Sequence, residues 1–293
     1  MRRKIFRLKL PSRTLALGER TLIMGVLNVT PDSFSDGGHF LDRRVAVEHA
    51  LAMERAGANI LDIGGESTRP GSSGTPVEEE LARVLPVLRG LRGVLKIPIS
   101  IDTQKLEVAE AALDAGAEIL NDISGLKSEP PLAELAARRG VPIVLMHMRG
   151  EPRTMQKAGF ARDLMKDLPS GLRRSVAIAR KAGVAKSQII LDPGIGFGKS
   201  FAQNYEVLEK LSQLAKLGYP VLVGTSRKGF LGATLSREGK AAPSEERIWG
   251  TAATVVAAIL NGAHIVRVHD VAEMAQVARV ADYLVNPRLR RSL

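Results

Sequence analysis

The sequence predicts an α/β protein: a (β/α)8 TIM barrel filling residues 1–293 as a single domain, with a short N-terminal β-hairpin over residues 1–20. Three observations carry the prediction. Eight short aliphatic runs alternate with eight stretches of helical periodicity, which is the pattern of parallel strands joined by helices. Nearly every aliphatic run stops abruptly at a polar or ionisable residue. A length of 293 residues suits eight such units closed into one ring better than an open doubly wound sheet.

The hairpin is expected before Thr21, where IFRLKL alternates apolar and charged residues. LIMGVL at 22–27 is the first barrel strand, and polarity switches at Asn28 into VTPDSFSDGG. RRVAVEHALAMERAG at 43–57 repeats apolar residues at three and four and closes on a glycine suited to a helix C-cap. NILDI at 59–63 is a strand followed by the loop GGESTRPGSSG; residues 78–91 are helical, and IPISI at 97–101 is a strand ending at Asp102. LEVAEAALDAG is helical, and EILND is a strand ending at Asn121 and Asp122. A helix over 132–140, a strand over 141–146 ending at His147, a helix over 164–183 and a strand over 188–191 ending at Asp192 continue the alternation. Then come a helix over 204–217, the strand PVLV ending in GTSRK, an alanine-rich helix over 249–260, the strand AHIVRV ending at His269 and Asp270, and a helix over 271–284. The tail NPRLRRSL at 286–293 is expected to fray, and the loops 147–163 and 229–247 are long enough to hold short helices.

Composition narrows the function. With 45% hydrophobic and 25% charged residues the chain is globular. It has no cysteine, which excludes disulfides and thiolate metal sites. The basic N-terminus lacks the apolar run of a signal peptide, and no run approaches the ~18 residues of a membrane span, so a cytoplasmic protein without membrane contact is expected. The net charge of +11 is scattered, and aromatics make up 4%, too few for a base-stacking platform. Nucleic acid is therefore not an expected partner; a field that attracts small anions is.

In a barrel the C-terminal strand ends share one face, and active sites are built there. Those ends are Asn28, Asp62, Asp102, Asn121 with Asp122, His147, Asp192, Ser226 with Lys228, and Arg267 with His269. Asp102, Asn121 and Asp192 suit a heterocycle that presents ring N–H and amino groups, because buried carboxylates need strong donors. Asp122 reads as a structural hydrogen-bond acceptor, since its neighbour Asn121 points to the other face of the strand. Arg267 and His269 share a face and, with Asn28, suit a phosphate or diphosphate. Ser226, Arg227 and Lys228 open a loop that offers further donors and positive charge. DPGIGFGKS fails as a phosphate loop, because Pro193 stands where a glycine is required; its glycines are read as letting the backbone run close beneath a flat ligand. The sequence contains no HExxH or GxSxG, and its five histidines lack zinc-ligand spacing.

GVLNVTPDSFSDGG, DIGGESTRPG, SIDT, NDISG, LMHMRGEPRTMQ, DPGIGFGKS, GTSRKGFLG and GTAATVVAAILNGAHIVRVHD, in this order over residues 22–282, resemble the dihydropteroate synthase family. The resemblance implies a pterin-binding barrel of folate biosynthesis. Such an enzyme condenses 6-hydroxymethyl-7,8-dihydropterin diphosphate with p-aminobenzoate, releases diphosphate, uses Mg²⁺ and forms a homodimer. Carried over by position, Asp102, Asn121 and Asp192 line the pterin pocket with Met146, Phe197 and Lys228. Asn28 holds the metal, Arg267 and His269 hold diphosphate, and Thr68 and Arg69 belong to a second moving loop. Ser226, Phe34 and Pro70 form the p-aminobenzoate pocket. Asp102, Asp192, Lys228, Arg267 and His269 are the expected catalytic set. Thr30 to Gly38 is expected to act as a lid closing with Ser67 to Gly71, with Phe34 as a substrate wall. A corrinoid methyltetrahydrofolate methyltransferase shares the pterin-binding barrel but needs neither a diphosphate clamp nor the STRPG and SRKGF loops. A catalytically silent pterin-binding paralogue would not need Asn28, Arg69, Lys228 and His269 together.

Overall fold

The computed structural model describes residues 3–30, 38–67, 72, 74–150, 155 and 159–292, with the side chains of all of these except 38–42, 291 and 292. Phe34, Thr68, Arg69 and Pro70, and with them most of both expected lid loops, lie outside the described residues.

The chain opens with an antiparallel hairpin, β1 (Phe6–Lys9) and β2 (Thr14–Leu17). The barrel follows as β3 (Leu22–Asn28), α1 (Gly38–Arg55), β4 (Ile60–Gly64), α2 (Val77–Leu91), β5 (Ile99–Asp102), α3 (Leu106–Asp114), β6 (Ile119–Asp122), α4 (Pro131–Arg139), β7 (Ile143–Met146), α5 (Leu164–Lys181) and β8 (Ile189–Asp192). It continues with α6 (Phe201–Glu209), α7 (Ser212–Ala215), β9 (Leu222–Val223), α8 (Gly229–Thr234), α9 (Ile248–Leu260), β10 (Ile265–Val268) and α10 (Val271–Val285). Sheet order is β8-β7-β6-β5-β4-β3-β10-β9, every neighbour parallel. The two edge strands meet through a parallel bridge, Leu191 to Val221, and Leu191 N donates to Pro220 O at 2.9 Å, which closes the ring.

Three local expectations are revised. The helix expected over 204–217 is two helices, α6 and α7. Ser200 and Gln203 form a reciprocal capping box that starts α6 at Phe201, and after the break at Lys210 the chain turns to bury Leu211 and Leu214 in the core. The first barrel helix begins at Gly38 rather than Arg43. The tail does not fray throughout: Leu289–Ser292 forms a 3-10 turn, and Arg290 caps the end of α10 by donating to Tyr283 O at 2.7 Å and Leu284 O at 2.9 Å. The long 229–247 loop does carry short helical pieces, α8 and a 3-10 turn at Ser244–Arg247.

Strand side chains alternate between faces, so residue parity sorts the core into two clusters. On each strand one parity, with residues such as Leu61, Ile63, Ile101, Leu145, Leu191 and Val266, packs outward against the helices. Met24, Ile60, Ile119, Val144, Ile190, Leu222 and Ile265 form a separate cluster inside the ring, and Leu8, Leu10 and Leu17 of the hairpin seal it from below. The N-terminal end of the barrel is therefore closed by packing. What lies two residues further along each strand decides the chemistry.

Candidate active site

Two residues on from the inner apolar cluster, the same inward face carries Asp62, Asp102, Asn121, Met146, Asp192 and Arg267. Asp62, Asp102, Asn121 and Asp192 are all buried. Arg267 joins two of them: Nε donates to Asp62 Oδ2 at 2.6 Å and Nη2 to Asp102 Oδ2 at 2.6 Å. Asn121 Nδ2 donates to the same Asp62 oxygen at 3.0 Å. Asp192 Oδ1 accepts the Gly194 backbone N–H at 2.6 Å. Met146 and Phe197 supply an apolar wall, clustered with Ile123, Met148 and Met155. Lys228 Nζ stands 4.1 Å from the centre of the Phe197 ring, close enough for a cation–π contact.

Burial controls the electrostatics. It pushes the Asp102 carboxyl up to about 7, with Arg267 pulling back and Asp62 and Glu80 adding to the rise. It pushes Asp192 up to about 6 against the Gly194 hydrogen bond and the Lys228 charge. Burial brings the Lys228 ammonium down to about 8, and Arg267 lowers it further while Asp192 and Asp102 oppose. Arg267 is held above its ordinary value, its buried position outweighed by Asp62 and Asp102. His269 is pushed down to about 3 by burial and by Arg267. In the free protein it is therefore a neutral imidazole and not the cation that a diphosphate clamp suggests. Its Nδ1 lies 3.0 Å from Ser226 Oγ, which also accepts the His269 backbone N–H at 3.2 Å. Ser226, expected in the p-aminobenzoate pocket, is thus engaged with His269.

Two glycines of the loop after β8 are required by the protein's own backbone. A Cβ on Gly194 would sit 2.1 Å from His147 O, and one on Gly198 would sit 2.4 Å from Arg149 O; both residues have positive φ. Lys199, 2% exposed, ties the loop down from within: its Nζ donates to the carbonyls of Gly194 at 2.8 Å, His147 at 3.1 Å and Phe197 at 3.1 Å. Burial brings this ammonium down to about 7. It also brings His147 down to about 2, so this strand-end histidine is a neutral, buried neighbour of Lys199.

Asp122 faces outward and accepts the backbone N–H groups of Ser124 at 2.8 Å and Leu126 at 2.6 Å, a structural role as parity predicts. Arg227 turns away to pair with Asp270. Sequence reasoning noted Asp62 as a strand end and gave it no role, although its parity with Ile60 puts it on the inner face. It assigned nothing to Lys199, or to the Lys105 ammonium that bridges Glu66 and the buried Glu80.

Among the described residues no group of three or more His, Asp or Glu could cage a metal ion. Asn28, half-buried where β3 ends, offers a hard amide oxygen. That suits Mg²⁺, which takes one or two protein oxygens and completes its shell with phosphate and water.

Residues 24–269 match the family model described as pterin binding enzyme. A dihydropteroate synthase of Synechocystis sp. is 51% identical over 267 residues, covering 91% of this chain and 91% of that protein. The structure of Xanthomonas albilineans dihydropteroate synthase with 4-aminobenzoic acid aligns at a TM-score of 0.88 and 42% identity over 97% of this chain and 99% of that one. The same organism's enzyme in complex with 7,8-dihydropteroate aligns at 0.85 and 40% identity over 96% of this chain and 99% of that one. The inner ring of acids, amide and arginine thus sits in a chain that belongs to the dihydropteroate synthase family of pterin-binding enzymes.

Proposed function

We infer that the chain is a transferase, a dihydropteroate synthase, which joins 6-hydroxymethyl-7,8-dihydropterin diphosphate to p-aminobenzoate to give 7,8-dihydropteroate and diphosphate. The observation that carries this reading is the buried ring of Asp102, Asn121 and Asp192 with Arg267 reaching into it. Buried acceptors call for a ligand rich in N–H groups. The pterin edge supplies them, while Met146 and Phe197 cover its faces and Lys228 donates to an acceptor atom of the ring.

In the reaction the bond between the pterin methylene carbon and the diphosphate oxygen breaks, and its electron pair leaves with diphosphate. We assign an SN1-like course in which the pterin carries the positive charge before the amine attacks. Asp102 and Asp192, in their carboxylate form, favour that charge electrostatically. The neutral arylamine nitrogen then bonds the methylene carbon and releases a proton, so no strong general base is required. Arg267 receives the leaving charge with guanidinium N–H groups that Asp62 and Asp102 do not use. The Ser226 hydroxyl, donating to His269 Nδ1, leaves the imidazole Nε2–H for a diphosphate oxygen. Thr68, Arg69, Phe34 and Pro70 complete the p-aminobenzoate and loop contacts. Asn28 would hold Mg²⁺, which when bound neutralises diphosphate as a Lewis acid.

Two further assignments accompany this reading. The chain works as one domain in the cytoplasm; no described helix is long and apolar enough to cross a membrane. It pairs as a homodimer through α9 and α10, where Trp249 and Leu260, eleven residues and so about three turns apart, and Val280 and Leu284, four residues apart, stand exposed. A monomer by sedimentation at micromolar concentration would exclude that pairing. For the activity, purified chain with both substrates and Mg²⁺ should release diphosphate. Tight pterin binding without turnover would mark a silent pterin-binding protein instead.

A further inference from the structure

We propose that Asp62 is a positioning residue of the pterin pocket, fixing which way round the Asn121 amide and the Arg267 guanidinium face the substrate. The proposal rests on the pterin-binding reading and adds a residue to which no role was assigned.

Asp62 is fully buried, deep in the ring. Its Oδ2 takes both N–H groups, Arg267 Nε at 2.6 Å and Asn121 Nδ2 at 3.0 Å, while its Oδ1 is buried with no partner among the described residues. A carboxylate used only to neutralise Arg267 would match the guanidinium fork with both oxygens. Here one oxygen serves two different residues, each of which also reaches into the site. The consequence for Asn121 is strict. Asp62 Oδ2 accepts from both groups, so the amide turns its nitrogen toward Asp62. Its carbonyl oxygen then faces the pocket, and the pterin edge meets acceptors from Asp102, Asp192 and Asn121. With the amide reversed, oxygen would face oxygen across the Asp62 contact and the pocket would present a donor to a donor. Arg267 is constrained in the same way. With Nε on Asp62 and Nη2 on Asp102, its plane is fixed and Nη1 is left for the leaving group. Asp62 therefore connects recognition of the heterocycle with the charge that receives diphosphate.

The test compares wild type, Asp62→Asn, Asn121→Asp and the exchanged pair Asp62→Asn with Asn121→Asp. Calorimetric affinity for the pterin diphosphate, KM for each substrate and melting temperature are measured for all four. Asp62→Asn should raise the pterin KM by about tenfold or more and leave the p-aminobenzoate KM unchanged. Asn121→Asp sets two acceptors face to face and should weaken pterin binding by ~100-fold. The exchanged pair restores one donor facing one acceptor and should recover pterin affinity by about tenfold over Asn121→Asp. Wild-type pterin affinity in Asp62→Asn, or an exchanged pair no better than its weaker parent, would overturn the proposal. So would failure of Asp62→Asn and the exchanged pair alike to fold, which would make the carboxylate purely structural. Absence of turnover in wild type would instead count against the functional reading, because calorimetry on the four proteins still reads the positioning role.

Discussion

The two ends of the barrel's inner face share one backbone, one residue parity and comparable burial, yet they do opposite things. The lower rung, Met24, Ile60, Ile119, Val144, Ile190, Leu222 and Ile265, packs on Leu8, Leu10 and Leu17 and is apolar except on β5, where the buried Ser100 stands two residues before Asp102. Two residues up each strand, about 7 Å, the upper rung holds Asp62, Asp102, Asn121, Asp192 and Arg267. Burying apolar groups stabilises the fold, whereas burying carboxylates opposes it unless donors compensate. The lower rung is thus the part that stabilises. The upper rung is the part held in place by it, with Arg267 as the internal counter-charge and the rest left for a ligand.

The comparison breaks most severely at Arg267. Arg267→Ala leaves Asp62 and Asp102 buried without their cation, and should cost about 3–5 kcal/mol of stability and lower kcat/KM by ~1000-fold; thermal melts and steady-state kinetics check both. Leu17→Ala attacks the other rung. It should cost about 2–5 kcal/mol by the cavity it leaves, with both KM values unchanged, which would separate stability from recognition.

A smaller effect comes from pH. With Asp102 near 7 and Asp192 near 6 in the free protein, both raised from 3.8 by burial, the acceptor ring becomes protonated as pH falls through that range. The kcat/KM for the pterin should fall on the acid side, and Asp192→Asn should remove the lower of the two steps. The contribution to stability has the opposite sign. The folded state binds these protons more tightly than the unfolded chain does, so the two carboxylates favour folding increasingly as pH drops from about 7 toward 3.8. A flat pH–kcat/KM profile between 5.5 and 8 would contradict the assigned charge states.

Periodicity made the architecture legible. Eight aliphatic runs, their polar ends and the alternating IFRLKL segment identify the barrel and the hairpin ahead of it, because period-2 and period-3.6 patterns are local properties of the chain. Parity also separated Asn121 from Asp122 correctly. What stayed hidden depends on contacts between distant residues. The break at Lys210 reflects where Leu211 and Leu214 find the core. The neutral state of His269 depends on burial and on Arg267 beside it. Lys199 looks like part of a phosphate motif until three carbonyls from two segments meet its ammonium. Asp62 carried a usable signal in its two-residue spacing from Ile60, but its partners, Asn121 and Arg267, lie 59 and 205 positions away.

The central claim is that the buried acceptors of the upper rung recognise the pterin. Calorimetric titration of the pterin diphosphate into wild type, Asp102→Asn and Asp192→Asn tests it most directly. Each variant replaces an acceptor with a group that can donate, so affinity should fall by about tenfold to 100-fold in each, with p-aminobenzoate KM little changed. Equal affinity in all three proteins would contradict the assignment of this ring as the pterin site.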